Sequence, residues 1–236
     1  MSLARRDAEL RELMDAPDCD PHRLRRTLER FDAVNRLVSC WGRVYRDRVR
    51  PVLTGLGRPA RILDIGCGAG DVLARLAHRA RREGFEVEAT GIDPDPRALD
   101  VARGREGAGV TFRQAYSREL VDAGERFDIV LSNHLLHHLD EAQLGGLLAD
   151  SEALASALCL HSDIARSREA YLGFALGIAP LSTGTLLRVD GLRSIRRSYT
   201  PAELGERLPA GWHVERPGRF RLLAVREHTV RSAHAG

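Results

Sequence analysis

The stretch RILDIGCGAGD at residues 61–71 decides the fold of this chain. It predicts a buried strand that ends at Asp64, a turn built on Gly66, Gly68 and Gly70, and a helix that begins at once. Glycine has no Cβ and adopts positive φ, so a ligand can press against such a turn. The free N–H groups of the following helix favour a carboxylate or a phosphate. The stretch therefore predicts a strand–loop–helix unit that holds a cofactor.

Outward from this unit, the sequence alternates between short apolar strands and helices. Strands are predicted at 61–65, 86–92, 110–113, 127–132 and 157–162, and helices at 71–83, 96–104 and 140–155. Such alternation implies right-handed crossovers and a mostly parallel sheet with helices on both faces. Two final strands, at 212–215 and 220–225, complete the sheet. We therefore predict an α/β fold with a doubly wound, mostly parallel, seven-stranded Rossmann-like sheet.

The rest of the chain predicts additions to one domain that spans residues 1–236. Helical spacing at 3–14 and 22–49 predicts a helical N-terminal cap, and Pro51 with the turn residues at 54–59 indicates a boundary. An apolar helix from 171 to 178 and a basic segment at 188–197 break the alternation and predict a lid over the mouth of the sheet. The predicted parts are a cap at 1–50, a cofactor-binding core at 51–165, a lid insertion at 166–199 and a sheet completion at 200–236.

The composition excludes several classes of enzyme. The 36 basic residues are all arginine, against 33 acidic residues, and the formal charge is +3. Without lysine there is no Schiff-base chemistry on an enzyme amine, no P-loop lysine and no kinase lysine. Four scattered cysteines argue against a disulfide scaffold or a structural zinc site. No apolar stretch approaches the roughly 20 residues of a membrane span, and the first residues do not resemble a signal peptide, so we expect a cytoplasmic protein.

A second acidic signal follows the next strand. Asp93, in GIDPDP at 91–96, lies 23 residues after Gly70. A carboxylate there is placed to accept hydrogen bonds from both hydroxyls of a ribose. The alternative interpretation is that Asp93 only forms a turn with Pro94 and binds no ligand. The loop itself has the spacing G-x-G-x-G and not the G-x-G-x-x-G of dinucleotide-binding proteins, which argues against a dinucleotide oxidoreductase.

With this order and spacing, the sequence over roughly 55–225 resembles the class I S-adenosylmethionine-dependent methyltransferases. The resemblance implies S-adenosylmethionine as cofactor and S-adenosylhomocysteine as product. It implies that the loop holds the methionine part and that the acidic residue after the second strand holds the ribose. The residues so implicated are Asp64, Gly66, Cys67, Gly68, Gly70, Asp93 and Pro94.

Two further strand ends complete the cofactor prediction. FDIVLSNH at 127–134 also matches the family, and places Ser132 and Asn133 at the edge where open α/β sheets bind ligands. Many relatives carry an acidic residue after the third strand for the adenine amino group. This chain has FRQAYS at 112–117, which leaves Gln114, Ala115 and Tyr116 as the predicted adenine contacts.

The histidines after the fourth strand are the candidate catalytic groups. His134, His137 and His138 are close enough to suggest a metal, but no carboxylate completes a ligand set in the sequence, and we predict none. The segment resembles small-molecule methyltransferases of the ubiquinone and menaquinone type, which often have a His-His pair here and sometimes an aspartate that ends strand five; this sequence has both, the latter as Asp163. We predict His137 or His138 as the base or acceptor-positioning group, with Asp163 orienting it or the substrate. Neighbouring helix positions point about 100° apart, so we expect one of the two to face the pocket, and the sequence does not decide which.

The resemblance predicts a small organic acceptor. The Asn/Asp-Pro-Pro-Tyr pattern of amino-group methyltransferases is absent after strand four. The cap and the lid predict a covered, partly apolar cleft, with Tyr45, Phe174, Leu186, Leu187 and Tyr199 as candidate wall residues. We therefore predict O-methylation, or less readily C-methylation, of a phenol, quinol or polyketide-like compound, without a nucleic-acid partner. The alternatives are an RNA methyltransferase that uses the arginines at 23–50 and 188–197, and a cofactor-binding protein without transferase activity. The oligomeric state is left open.

Overall fold

The protein, described over residues 3–228 by a computed structural model, is built on a seven-stranded sheet in the order β3-β2-β1-β4-β5-β7-β6. The strands are β1 Ala60–Ile65, β2 Val87–Asp93, β3 Val110–Gln114, β4 Phe127–Asn133, β5 Ala155–Ile164, β6 His213–Glu215 and β7 Arg221–Glu227. The first five strands pair in parallel, and β7 pairs antiparallel to both of its neighbours. The predicted α/β architecture is confirmed, with strand ends within about two residues of the predictions.

Helices cover both faces of the sheet. They are α1 Pro21–Val38, α2 Trp41–Val44, α3 Arg50–Leu56, α4 Asp71–Arg82, α5 Pro96–Ala102, α6 Ser117–Asp122, α7 Glu141–Leu154, α8 Arg168–Gly177, α9 Ala179–Ser182, α10 Leu187–Arg197 and α11 Pro201–Gly205. Tyr45–Val49 form a π-helical turn between α2 and α3, and 3₁₀ turns follow at Arg103–Arg105 and Leu136–His138.

The central strands have apolar side chains on both faces because helices cover both. In β1, Ile62 packs in the cluster that includes Leu73 of α4, whereas Leu63 packs in the cluster that includes Leu148 of α7. This is the reason that the strand sequence is a nearly continuous apolar run. The alignment brings the carboxyl ends of β1, β2, β4 and β5 to one edge, where the glycine loop lies.

The N-terminal cap differs from its prediction. Residues 3–14 contain turns and no helix. Their backbone bonds to distant elements, since the N–H groups of Leu13 and Met14 donate to the carboxylate of Asp190 at 2.8 and 3.0 Å. A segment whose amides bond outward in this way does not form a helical ladder. The apolar spacing alone therefore misled the prediction.

The second predicted cap helix, at 22–49, is interrupted. Cys40 has φ 59°, a left-handed conformation that ends the regular path after α1. Pro51 does not mark a break, because it lies in the first turn of α3, where a missing N–H leaves no hydrogen bond unmade. The predicted lid region holds α8, α9 and α10, of which α10 was not predicted as a helix. The part of the predicted sheet completion after residue 228 lies outside the described residues.

Candidate active site

The glycine loop has the backbone that its sequence predicted. Gly66, Gly68 and Gly70 have φ values of 66°, 54° and 73°. A Cβ on Gly70 would lie 2.3 Å from the ring of Phe112, so no other residue fits there without displacing β3. A Cβ on Gly68 would meet nothing within 4 Å, and this open side faces a cavity. The loop therefore combines a forced turn with an uncovered backbone.

Asp64 lies beneath this loop as a buried acid without a partner for one oxygen. Its side chain is 1% exposed, and Oδ1 makes no hydrogen bond. Burial, with the charges of Asp71 and Asp93, holds the pKa of Asp64 well above its usual value. A carboxyl group in this position is stabilised by a cation or a hydrogen-bond donor from a ligand.

Asp93 ends β2 and ties the loop to the next strand. Its carboxylate accepts hydrogen bonds from the N–H groups of Gly68 and Asp95, each at 2.9 Å. Burial raises the pKa of Asp93, and these two backbone donors act in the opposite direction. The side chain also lines the cavity beside the loop, and a carboxylate can accept more hydrogen bonds than these two.

A cavity of about 210 Å³, here called the polar cavity after the charged and polar side chains in its wall, joins these groups to the histidines. Asp64, the glycine loop and Asp93 form one side, and Asn133, His134, His137 and His138 form another. The N-terminal segment and α1 cover it with Glu12, Met14, Asp15, Leu28 and Phe31. The structure thus brings both predicted histidines together with half of the twelve predicted cofactor residues, whereas Gly70 and Pro94 do not line this cavity.

His137 is held between two carboxylates. Its Nδ1 lies 2.8 Å from Oδ1 of Asp163, and its Nε2 lies 3.2 Å from Oε1 of Glu12. Its backbone N–H also donates to Asp163 at 2.8 Å. The predicted pairing of Asp163 with a histidine is thus present, and the histidine is His137.

These contacts determine the protonation of His137. Burial lowers its pKa, but the charge and hydrogen bonds of Asp163 and Glu12 outweigh burial and raise the pKa to about 9. The same contacts overcome the effect of burial on Glu12 and lower its pKa to about 2. His137 is therefore an imidazolium at neutral pH, with both ring nitrogens occupied.

His138 has a different environment. Its side chain is 27% exposed, and Nδ1 lies 3.2 Å from Asp15 while Nε2 lies 3.8 Å from Glu12. Both members of the pair line the cavity, contrary to the expectation that only one would. A 3₁₀ turn at Leu136–His138 replaces the α-helical geometry on which that expectation rested. Of the two, His138 is the one with solvent access.

A second, apolar cavity of about 530 Å³ adjoins the first. Its walls come from α1, α8, α10 and the ends of β5 and β7, and they include Phe174 and Leu187 among the predicted wall residues. Tyr45 and Tyr199 are core residues at 0% and 1% exposure and, like Leu186, do not line it. The two cavities share the residues Glu12, Phe31, Asn35, His134 and Ser194.

Several predicted cofactor residues lie away from the polar cavity. Gln114 donates to the carbonyl of Pro94 at 3.0 Å, and Tyr116 is 64% exposed. Ala115 packs against the apolar cluster on one face of the sheet. Ser132 is fully buried, with its hydroxyl 2.8 Å from Nδ1 of His161. The structure does not bring these side chains to the cavity wall, and their cofactor roles stay predictions.

Sequence reasoning missed several charged residues of the site, among them Glu12 and Arg221. Glu12 is 5% exposed although it belongs to a segment without secondary structure, and Ser194 donates to it at 2.6 Å. Arg221 begins β7 at 2% exposure and donates to Asn133 and Ser162 at 2.9 and 2.8 Å. No local pattern marks either residue, because their partners lie far away in the sequence.

Comparisons with known proteins find similar sequences and folds among the methyltransferases. A methyltransferase-domain family matches residues 62–155. The chain is 32% identical over 191 residues to the ubiquinone biosynthesis O-methyltransferase of Methylocella silvestris, which covers 72% of this chain and 70% of that protein. It is 32% identical over 147 residues to the protein of the same name from Azorhizobium caulinodans, covering 61% of this chain and 54% of that one. The chain thus spans about half the length of that second relative.

A solved structure shows the same fold. The plantazolicin methyltransferase BpumL, in complex with a triazolic desmethylPZN analog and SAH, superimposes with a TM-score of 0.64 over 90% of this chain and 92% of that one, at 14% identity. Fold, glycine loop and strand-end carboxylate together are typical of a cofactor-binding α/β protein. The chain belongs to the class I S-adenosylmethionine-dependent methyltransferases, in the branch that resembles the ubiquinone-biosynthesis O-methyltransferases.

The site fits the cofactor of this family. S-adenosylmethionine carries a cationic amino group and a sulfonium, and the partnerless Oδ1 of Asp64 is a buried acceptor beside the loop. The uncovered backbone at Gly68 leaves space for close approach. Among residues 3–228, no helix has the length and apolar character that a membrane span requires.

Proposed function

We propose that this protein transfers a methyl group from S-adenosylmethionine to an oxygen atom of a small, largely apolar organic acceptor. The observation that carries this proposal is the junction of the two cavities. The polar cavity of the glycine loop and the apolar cavity under α8 and α10 share five wall residues. A cofactor in the first and an acceptor in the second would therefore meet beside His134.

We assign the cofactor to the polar cavity through its charges and its backbone. Asp64 receives the amino group of the methionine part, the loop at Gly66 to Gly70 lies against that part, and Asp93 accepts from the ribose hydroxyls. Bound S-adenosylmethionine supplies a methyl group that is already activated by the sulfonium charge. The protein's own task is to align the acceptor oxygen, to exclude water and to take a proton where the acceptor is neutral.

We assign proton removal to His138 and a positioning role to His137. The imidazolium of His137 has both nitrogens bonded to carboxylates, so it has no lone pair for a proton. His138 lines the polar cavity and keeps partial exposure, and Asp15 beside its Nδ1 favours the tautomer whose lone pair is on Nε2. Asp163 fixes the ring of His137, and through the 3₁₀ turn it fixes the backbone of the adjacent His138.

The test uses His138→Ala with His78→Ala as its control, since His78 is an exposed histidine on α4. Binding of S-adenosylhomocysteine is measured by calorimetry, and methyl transfer is measured with caffeate, whose catechol offers phenolic oxygens. We expect His138→Ala to lower kcat by about a hundredfold or more, the usual contribution of a general base, with unchanged cofactor affinity. Equal turnover in both variants would contradict the role of His138. Failure of the folded wild-type protein to bind S-adenosylhomocysteine would contradict the whole proposal.

The apolar cavity also argues against the alternative that this protein is an RNA methyltransferase. An RNA site requires exposed cations and stacking surfaces, whereas Val34, Phe174, Ile178 and Leu187 line the apolar cavity. The RNA alternative predicts binding that weakens steeply with salt, with log affinity linear in log salt concentration. We expect no such binding to a mixed-sequence RNA.

A further inference from the structure

Arg221 is a buried cation without a directly bound counter-charge. Its side chain is 2% exposed, and its direct partners are the neutral groups Asn133, Ser162 and His134, the last at 3.0 Å from Nη1. Burial and the charge of Arg221 lower the pKa of His134 well below its usual value, so this ring is a neutral acceptor. The Nε–H of Arg221 is buried and has no acceptor at all.

The other buried arginines show that this arrangement is unusual in the molecule. Of the three arginines that are buried within residues 3–228, Arg166 lies beside Glu203 at 2.5 Å, and Arg197 lies 4.0 Å from Asp15. No carboxylate of the described chain lies within 4.0 Å of the Arg221 guanidinium. Asp163 attracts it over a longer distance, but the two oxygens of Asp163 are bonded to the ring and backbone of His137.

Arg221 remains charged in this environment. Burial lowers the pKa of its guanidinium to about 10, partly offset by Asp163, and this value still lies far above neutral pH. A buried charge without a close counter-ion is costly, and it persists where a ligand supplies the opposite charge. Arg221 is one of the residues that line the apolar cavity, and its partners Asn133 and His134 line the polar cavity.

We infer that Arg221 recognises an anionic oxygen of the acceptor. The acceptor is then an organic anion with an apolar body, and its charged oxygen lies at the junction of the two cavities. A carboxylate is anionic at neutral pH without help, whereas an ordinary phenol has a pKa near 10 and must lose its proton first. An acidic phenol offers the same chemistry as the carboxylate. This inference rests on the proposed function and assigns a substrate class to it.

The experiment compares matched anionic and neutral probes by calorimetry, with and without saturating S-adenosylhomocysteine. The carboxylate arm uses caffeate, cinnamate and benzoate, each against its own carboxamide. The phenol arm uses para-nitrophenol against para-nitroanisole. The variant is Arg221→Gln, and the control is Arg219→Gln, which removes an exposed arginine from the wall of the same cavity.

We expect the wild-type protein and Arg219→Gln to prefer the anion in at least one pair by about tenfold or more, as for a charge-assisted hydrogen bond. Arg221→Gln should reduce this preference to less than threefold while S-adenosylhomocysteine affinity is kept, which also shows that the variant is folded. A preference in the carboxylate arm identifies a carboxylic acid, and one confined to the phenol arm identifies an acidic phenol.

Three results would overturn the inference. The first is that the wild-type protein prefers the anion in no pair, or binds no anion at millimolar concentration. The second is that Arg221→Gln keeps the full preference for the anion. The third is that Arg219→Gln loses this preference instead. If Arg221→Gln itself does not fold, Arg221→Lys is used. It keeps the charge without the planar fork, and it should then retain the preference for the anion. If the wild-type protein prefers the anion but does not bind S-adenosylhomocysteine, only the methyltransferase proposal is contradicted.

Discussion

Oε1 of Glu12 lies 3.2 Å from Nε2 of His137, although 125 residues separate them in the chain. The contact joins an N-terminal segment without secondary structure to the turn after β4. It closes one side of the polar cavity, so the segment at 3–20 is part of the site and not a peripheral extension. The charge of Glu12 is balanced by a protonated histidine, which links the closure of the cavity to pH.

This contact predicts how stability depends on pH. The pKa of His137 is raised from 6.5 to about 9, so its contribution to the free energy of unfolding is fully present below about pH 6.5 and is lost as pH rises through 9. The pKa of Glu12 is lowered from 4.5 to about 2, so its contribution is present above pH 4.5 and is lost as pH falls through 2. The pair therefore contributes most between about pH 4.5 and 6.5.

The measurement is urea unfolding of the wild-type protein and Glu12→Gln from pH 6 to pH 9. We expect the difference in free energy of unfolding between them to shrink as pH rises, because the neutral histidine no longer needs the carboxylate. Glu9→Gln is the control, since Glu9 is an exposed acid of the same segment. A difference that is constant across this range would show that Glu12 does not pair with a protonated His137.

We expect the carboxylate of Asp93 to contribute to the affinity for the cofactor. Replacement by asparagine keeps the size of the side chain but removes the charge that we assign to the ribose hydroxyls. A hydrogen bond to a charged group contributes about 1.5–3 kcal/mol, so Asp93→Asn should weaken S-adenosylhomocysteine binding by about ten- to a hundredfold. Calorimetry measures this, and Asp122→Asn on exposed α6 serves as the control. An affinity within twofold of the wild-type value would exclude the assignment.

We expect a side chain at Gly91, in β2, to clash with its neighbours. A Cβ there would lie 2.6 Å from Phe112 and 2.9 Å from Sγ of Cys67. Gly91→Ala should therefore destabilise the protein by about 1–3 kcal/mol, the usual cost of overpacking. Phe112→Leu should recover part of this loss in the double variant, as measured by thermal and urea unfolding.

The matched control for this effect is Gly146→Ala in α7, where a Cβ would meet nothing within 4 Å. This change should stabilise the protein by about 0.5–1 kcal/mol, because alanine favours the helix. If Gly91→Ala and Gly146→Ala changed the free energy of unfolding in the same direction, the close packing of Phe112 against β2 would not be the cause of the effect at Gly91.

The histidine cluster predicts the response to chelators. Ligand atoms of Glu12, His137 and His138 lie within 4.8 Å of one another, an arrangement that a metal ion could use. We nevertheless expect none, because the sequence predicts no metal and both ring nitrogens of His137 already pair with Asp163 and Glu12. Dialysis against EDTA should leave cofactor affinity and turnover unchanged. A loss of turnover that zinc or magnesium restores would make this cluster a metal site.

The sequence by itself determined the sheet and the cofactor loop. The pattern at 61–71 depends on local rules: an apolar run for a doubly covered strand, glycines for positive φ, and a helix directly after the turn. Asp93 is equally local, since it follows a strand whose direction the alternation predicts. The resemblance implied that Asp163 orients a histidine or the substrate, and the structure shows β4 and β5 as neighbours in the parallel sheet.

Only the tertiary structure decided how the site is closed and charged. Glu12 and Arg221 contact the histidines and Asn133 across more than 80 residues, and neither periodicity nor turn chemistry contains such distances. Residues 3–14 have helical spacing, but the amides of Leu13 and Met14 donate to Asp190, so packing against α10 overrode local propensity. The choice between His137 and His138 likewise depended on which ring the two carboxylates surround. Local sequence determines strands and turns, whereas a buried charge is defined by partners that only folding brings together.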